Sequence, residues 1–225
     1  MSISPYSAVL FDLDGTIADS APGITASLAW TYEQLGRPVP TPAELMKWVG
    51  PPILDSFREY MGLDEAGARD ALAIYRPHYV AHGVNDATIF PGVERVLRAI
   101  KAAGLPLSLA TSKPEGPARA ILDGFGITDL FDEIAGASED ETRSAKADVV
   151  EEALRRLTAD GFDVSRPVLV GDRSHDIEGA AAHGVPTILV TWGYGAPAEQ
   201  AGAVAVADDA DALLSALGLV EDRAA

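Results

Sequence analysis

The chain has 225 residues, 48% hydrophobic and 23% charged, enough to bury a sizeable core as one large domain or two modest ones. It contains no cysteine, which excludes disulfides, thiolate zinc sites and cysteine nucleophiles and fits a reducing compartment. A formal net charge of −17 repels polyanions and argues against a nucleic-acid polymer as partner, while a small anion remains open to a site with its own positive charge.

No basic region leads into a long apolar run at the N-terminus, and no apolar stretch approaches the roughly 20 residues of a membrane helix. The sequence therefore predicts a soluble, cytoplasmic protein without a membrane partner. In chain order the first element is Ala8-Val9-Leu10-Phe11, four apolar residues that suit a parallel strand covered on both faces. Asp12 and Asp14 follow, one strand period apart, and Gly15 permits a sharp exit before Thr16. Ligands of open α/β sheets bind at such strand ends. Two acids there can bind Mg²⁺ or divide the work of nucleophile and general acid/base, and can equally be a strand capped by an Asp-Gly turn.

From Ile17 to Thr88 no convincing strand is predicted. Helices are expected at Ser20–Leu35, after the capping box Thr41-Pro42-Ala43-Glu44, at Pro52–Tyr60 and at Asp64–His82. This reads as an all-helical module inserted after the first strand, with hinges at Gly15–Ser20 and Asn85–Pro91. Within it, Gly50-Pro51-Pro52, flanked by Lys47 and Trp48, reads either as a rigid loop touching substrate or as a stiff helix connection. Trp30 and Trp48 read as packing. His78 and His82 share a helical face at a spacing that can bind zinc, but no third ligand is near, so a half-buried or solvated pair is expected.

Beyond Thr88, strands are expected at Leu107–Ala110, Glu133–Gly136, Val168–Val170, Thr187–Val190 and Val204–Val206, separated by helical patterns such as Val93-Val96-Leu97-Ile100 and Val149-Val150-Ala153-Leu154-Leu157. This alternation implies right-handed βαβ units and a doubly wound parallel sheet, an α/β fold. Thr111-Ser112-Lys113-Pro114 ends one strand, where a hydroxyl and free amides at a helix start form an anion site, or Thr111 serves only as an N-cap. Gly171-Asp172-Arg173-Ser174-His175-Asp176 repeats the opening logic of apolar strand, glycine and carboxylates, read as metal support or as helix-capping acids. Lys146, ahead of the helix around Val149, can pair with carboxylates and a phosphate, or be a surface lysine; Arg143 is a weaker candidate. Trp192-Gly193-Tyr194-Gly195 is placed no further than the edge of the site.

Asp12-x-Asp14-Gly15-Thr16, Thr111, Lys146 and Gly171-Asp172-x-x-x-Asp176 follow the order of the four motifs of the haloacid dehalogenase superfamily, and the chain resembles its phosphoglycolate-phosphatase-like branch along nearly its whole length. The resemblance implies a Rossmann-like catalytic core, residues 1–16 and 89–225, with the helical module 17–88 as a cap of the first type. It implies a phosphoric monoester hydrolase with Asp12 as nucleophile and Asp14 as acid and base. Mg²⁺ would be held by Asp12, the Asp14 carbonyl and Asp172, with Asp176 in support. Gly15, Thr16, Thr111, Ser112 and Lys146 would bind phosphate; Lys47, Gly50, Pro51 and Pro52 are the candidate contacts to the leaving group where that loop is more than a stiff helix connection. Superfamily members that cleave carbon–halogen bonds lack the second aspartate, because a halide leaves without a proton.

Two departures stand out. Glu141 occupies a position where many similar sequences have glycine, and Gly-Asp-Arg-Ser-His-Asp, with Gly50-Pro51-Pro52, resembles a neighbouring nucleotidase-like group. The expected function is thus hydrolysis of a small phosphorylated metabolite by a monomer or homodimer, phosphoglycolate or a nucleoside 5′-monophosphate being the candidate substrates. The alternatives are a β-phosphoglucomutase-like phosphomutase and, last, a non-catalytic binding protein.

Overall fold

The computed structural model describes residues 4–219. The alternation seen in the sequence becomes a six-stranded parallel sheet. Its strands are β1 (Ala8–Phe11), β4 (Leu107–Pro114), β5 (Glu133–Ala137), β6 (Pro167–Gly171), β7 (Thr187–Val190) and β8 (Ala205–Ala207), in the spatial order β5-β4-β1-β6-β7-β8. β1 lies centrally, with Phe11 level with Leu109 of β4 and Val170 of β6. The chain runs outward from β1 in both directions, so the crevice at its carboxyl end is the topological switch point where doubly wound folds bind ligands.

All four β1 side chains are fully buried because both faces of the sheet are covered. Val9 and Phe11 join the larger core with α5 (Val93–Ala102) and α9 (Ala210–Ala216). Leu10 points to the other face and meets residues of α7 (Lys146–Ala159) and α8 (Ser174–Ala181). The remaining core helix, α6 (Glu115–Phe125), follows β4. Pro114 is its N-cap, so Thr111 continues the strand and is not a helix cap.

Between Asp19 and Thr88 the chain is helical: α1 (Ala21–Gln34), α2 (Pro42–Leu45), α3 (Ile53–Met61) and α4 (Glu65–His78). The Thr41 capping box closes as expected, with Thr41 N–H donating to Glu44 Oε2 at 2.8 Å. The predicted helix over Asp64–His82 is α only to His78 and continues as a π-turn over Tyr79–Gly83. Pro77 lies inside α4, where it lacks an N–H for the carbonyl one turn back, and the wider turn follows directly. That turn packs on α1 through glycine: a Cβ on Gly23 would stand 2.1 Å from the Gly83 carbonyl oxygen. The insert is joined to the sheet domain by a pairing absent from the sequence expectation, β2 (Ala18–Asp19) antiparallel to β3 (Thr88–Ile89). Its two residues per strand are too short to carry a periodic signal. No helix among the described residues is long and apolar enough to cross a membrane.

Candidate active site

The site is built where β1, β4 and β6 end. Asp12 leaves β1 with its N–H donated to the Val170 carbonyl, 2.9 Å, which locks it beside the tip of β6. Lys146, the first residue of α7, extends beneath the sheet tip. Its Nζ stands 2.7 Å from Asp12 Oδ1, 2.7 Å from Asp176 Oδ1 and 3.1 Å from the Ala110 carbonyl of β4. The lysine that could have been a surface residue is therefore buried between two motifs.

Asp172 and Asp176 come from the loop after β6 and from α8. Asp176 Oδ2 accepts from the N–H groups of Asp172 and Arg173 at 3.0 and 2.9 Å, so Asp176 both caps the helix and faces Lys146. The helix-capping reading of this acid holds, and the same carboxylate also pairs with a basic residue. Asp172 is fully buried, and its Oδ2 accepts from Tyr194 N–H at 2.7 Å. Its Oδ1 is 3.5 Å from Thr16 Oγ1.

The electrostatics follow from three buried acids, two of which, Asp12 and Asp176, share one buried ammonium. Burial pushes the Asp12 carboxyl up to about 6, opposed by Lys146 and reinforced by Asp176. Burial, Asp176 and Asp12 raise Asp172 well above the usual carboxylate range. Burial also acts to raise Asp176, but Lys146 and His175 outweigh it and hold this carboxyl below its ordinary value. Burial would lower Lys146, yet Asp12 and Asp176 hold its pKa raised. Burial lowers His175 to about 4 and so keeps it neutral at physiological pH. Asp12, His175 and Asp176 each bring a ligand atom within 4.8 Å of one another. A buried, oxygen-rich cluster with surplus negative charge fits a hard divalent cation.

Asp14 is separately organised. Its Oδ2 lies 3.0 Å from Lys113 Nζ, and Ser20 Oγ donates to its Oδ1. Lys113 in turn donates to Tyr79 Oη of the insert at 2.9 Å and lies 4.7 Å from the centre of that ring. Burial would lower Lys113, but Asp14 and then Tyr79 keep it raised and charged. Asp14 lines a cleft between sheet domain and insert, together with Ser112 and Lys113 on one side and Trp48, Gly50, Tyr75 and Tyr79 on the other. Ser112 Oγ is buried and has no hydrogen-bond partner among the described residues. Thr111 Oγ1 accepts from Lys113 N–H at 3.3 Å, beside it.

Other sequence expectations are redistributed. Gly15 N–H goes to the Ala18 carbonyl and Thr16 N–H to the Leu13 carbonyl, so these donors are engaged within the turn and are not offered to a phosphate. Lys47 is exposed and is not part of the cleft wall; Gly50 and Pro51 are, and Pro52 caps α3. A Cβ on Gly50 would stand 3.2 Å from His175 Cε1, and Arg173 Nη1 donates to the Val49 carbonyl at 3.2 Å. The Gly-Pro-Pro loop thus docks on the fourth-motif loop. Arg143 pairs with Glu115 and Gly136 at a distance from the acids. His78 stacks on Trp30 with ring centres 4.3 Å apart, and its Nδ1 lies 3.1 Å from Ser27 Oγ, which accounts for it as packing.

The sequence reading missed Lys113, Ser20, Tyr79 and the reach of Tyr194. For Lys113 the signal was present, a lysine two residues beyond Thr111 at a strand tip. Tyr194 Oη accepts from Ser20 and Ala21 N–H at 2.9 and 3.0 Å and donates to Asp19 Oδ1 at 2.8 Å, spanning from the acids to the first hinge. Gly193 makes this possible, since a Cβ there would stand 2.3 Å from the Gly15 carbonyl oxygen and 2.4 Å from Asp172 Oδ2.

This is the architecture of a doubly wound α/β protein with an acid pair just beyond the tip of its first strand. Residues 9–190 match the family of haloacid dehalogenase-like hydrolases, and the chain belongs to that family. It is 46% identical over 187 residues to the tyrosine-protein kinase PtkA of Mycobacterium tuberculosis, covering 83% of this chain but only 62% of that protein's length. It is 37% identical over 195 residues to the 5′-nucleotidase of Pseudomonas aeruginosa, covering 86% of each. Among solved structures, a predicted phosphatase from Clostridium acetobutylicum matches with a TM-score of 0.88 at 37% identity, covering 93% of this chain and 97% of the other.

Proposed function

We propose that the chain is a phosphoric monoester hydrolase, a cytoplasmic Mg²⁺-dependent phosphatase that acts on a small phosphorylated metabolite through an aspartyl-phosphate at Asp12. The observation that carries this is the pairing of a buried Asp12 with a buried Lys146, 2.7 Å apart, two residues before an acid that opens onto a cleft. A phosphomonoester dianion repels a bare carboxylate, and Lys146 offsets part of that charge where attack occurs. With its pKa at about 6, Asp12 is ionised at neutral pH and available as nucleophile.

Asp14 then gives a proton to the leaving oxygen and takes one from the attacking water. Thr111 and Ser112 present hydroxyls at the β4 tip for the phosphoryl oxygens. Asp12, the Asp14 carbonyl and Asp172, supported by Asp176, would hold Mg²⁺, which when bound supplies Lewis-acid charge neutralisation. Residues 17–88 act as a cap over residues 1–16 and 89–225, shielding the cleft from water. A phosphate-release assay with p-nitrophenyl phosphate tests the proposal. Turnover in Mg²⁺, loss in chelator, recovery on Mg²⁺ addition and loss in Asp12→Asn are expected. Full activity in chelator or in Asp12→Asn refutes it.

A second reading, transfer of the phosphoryl group to a hydroxyl other than water, is favoured by the 46% identity to a protein named as a kinase. It uses the same Asp12 and Asp14 and is separated by following whether phosphate or a phosphorylated acceptor accumulates.

A further inference from the structure

The cleft that ends at Asp14 lies between the insert and the sheet domain and opens to solvent. Its walls are mainly apolar: Trp48, Ile53, Leu72 and Tyr75 from the insert and Pro114 and Pro117 from the sheet domain. Three charged side chains other than Asp14 reach it: Lys113, Arg76 and Glu141. Neither cation is free. Lys113 is held by Asp14 and Tyr79. Arg76 of α4 is clasped by the loop after β5, pairing with Glu141 Oε1 and donating from Nη1 to the Glu139 carbonyl at 2.6 Å.

Glu141 is the unusual member. Its backbone φ is 61°, the only positive φ on a non-glycine residue among those described, a conformation that costs a residue with a Cβ and that glycine adopts freely. Its side chain is 1% exposed. While Oε1 faces Arg76, Oε2 is buried without a hydrogen-bond partner among the described residues. A buried, unpaired carboxylate oxygen in a ligand cleft is an acceptor awaiting a donor.

We infer that Glu141 is a specificity-determining residue. It makes the cleft a pocket for phosphomonoesters whose alcohol half is uncharged, largely apolar or flat, and carries an N–H or O–H donor for Oε2, and it rejects esters of hydroxy acids. The inference rests on the phosphatase reading. Nucleoside and aryl-alcohol esters both meet the apolar requirement, and the former bring the donor. A carboxylate on the leaving group would meet Glu141 with no unengaged cation to receive it, because Arg76 and Lys113 are already paired.

The test compares kcat/KM at pH 8, where Glu141 is ionised, for 2-phosphoglycolate, 2-hydroxyethyl phosphate, adenosine 5′-monophosphate and phenyl phosphate. The first two differ by a carboxylate against a hydroxymethyl group. The wild type should favour 2-hydroxyethyl phosphate over 2-phosphoglycolate by about 100-fold, the penalty of juxtaposed like charges. Adenosine 5′-monophosphate should exceed phenyl phosphate by about 10-fold or more, reflecting the donor for Oε2. Glu141→Gln should narrow the first ratio by about 10-fold. Glu141→Gly, which relieves the backbone and so guards against misfolding, should narrow both ratios. Comparable rates for 2-phosphoglycolate and 2-hydroxyethyl phosphate, or ratios unmoved in both variants, overturn the inference while leaving the phosphatase reading intact. Hydrolysis of none of the esters, nor of p-nitrophenyl phosphate, overturns both.

Discussion

Replacing Lys146 by methionine tests the centre of the site. The lysine is 3% exposed, and its ammonium stands 2.7 Å from a carboxylate oxygen of each of Asp12 and Asp176. At an effective dielectric of about 20, each contact carries about 6 kcal/mol of Coulomb attraction. Most of that is offset by the cost of holding ammonium and carboxylates out of water, but removing one partner leaves that cost uncompensated. A net loss of about 3–5 kcal/mol is expected. Methionine retains most of the stem, which packs against Gly179, so lost packing contributes little. Urea denaturation at pH 8 reads the loss as a fall in midpoint, and phosphate release should drop by about 100-fold or more, as for removal of an electrostatic stabiliser. Millimolar Mg²⁺ should return part of the stability by replacing the missing charge. A loss below about 1 kcal/mol, the worth of an exposed pair, would refute the account of Lys146 as the counter-charge of this cluster.

Burial raises Glu141 from 4.5 to about 7, against the pull of Arg76, while Glu139 and Asp140 add to the rise. The folded state therefore binds this proton more tightly than the unfolded chain, and stability falls as pH climbs from about 4.5 to 7, by up to about 3 kcal/mol. In Glu141→Gln this part of the slope should vanish, measured as urea midpoints at pH 5 and 8; parallel curves for the two proteins would contradict it. Gly83→Ala should cost about 1–3 kcal/mol, because its Cβ would stand 2.7 Å from the Gly23 carbonyl oxygen, whereas Gly124→Ala, with nothing within 4 Å, should gain about 0.5–1 kcal/mol; melting temperatures decide both. Asp14→Asn should slow release of a poor leaving group far more than of p-nitrophenol, which departs without a proton; equal slowing would argue against its acid role.

Much of the fold was legible because its signals are local and repeated. The apolar runs Val168–Val170 and Thr187–Val190 fall inside the observed strands, and the Thr41 box marks its helix. The acid pair, Thr111 and Asp172 were visible as residue types at strand ends and Lys146 as one at a helix start, and the sheet order brings those strand ends side by side. What stayed hidden depends on contacts between distant segments. Lys113 carried only a local sign, its place two residues beyond Thr111 at a strand tip, and its role in the site comes from Asp14 and Tyr79 converging on it. Gly15 and Thr16 resembled phosphate donors, but their N–H groups close the turn, a pairing that sequence order does not display. The π-turn after His78 reflects Pro77 and the glycine contact with α1 acting together.

The segment after β7 ties two distant events to one residue. The main-chain N–H of Tyr194 steadies the innermost acid, and its phenol, some side-chain length away, grips the root of the insert at Asp19, Ser20 and Ala21. Any displacement of the insert about that root must either drag this tyrosine or break three hydrogen bonds. The buried acid and the root of the insert are thereby tied through one residue, like a door whose hinge pin also holds the latch.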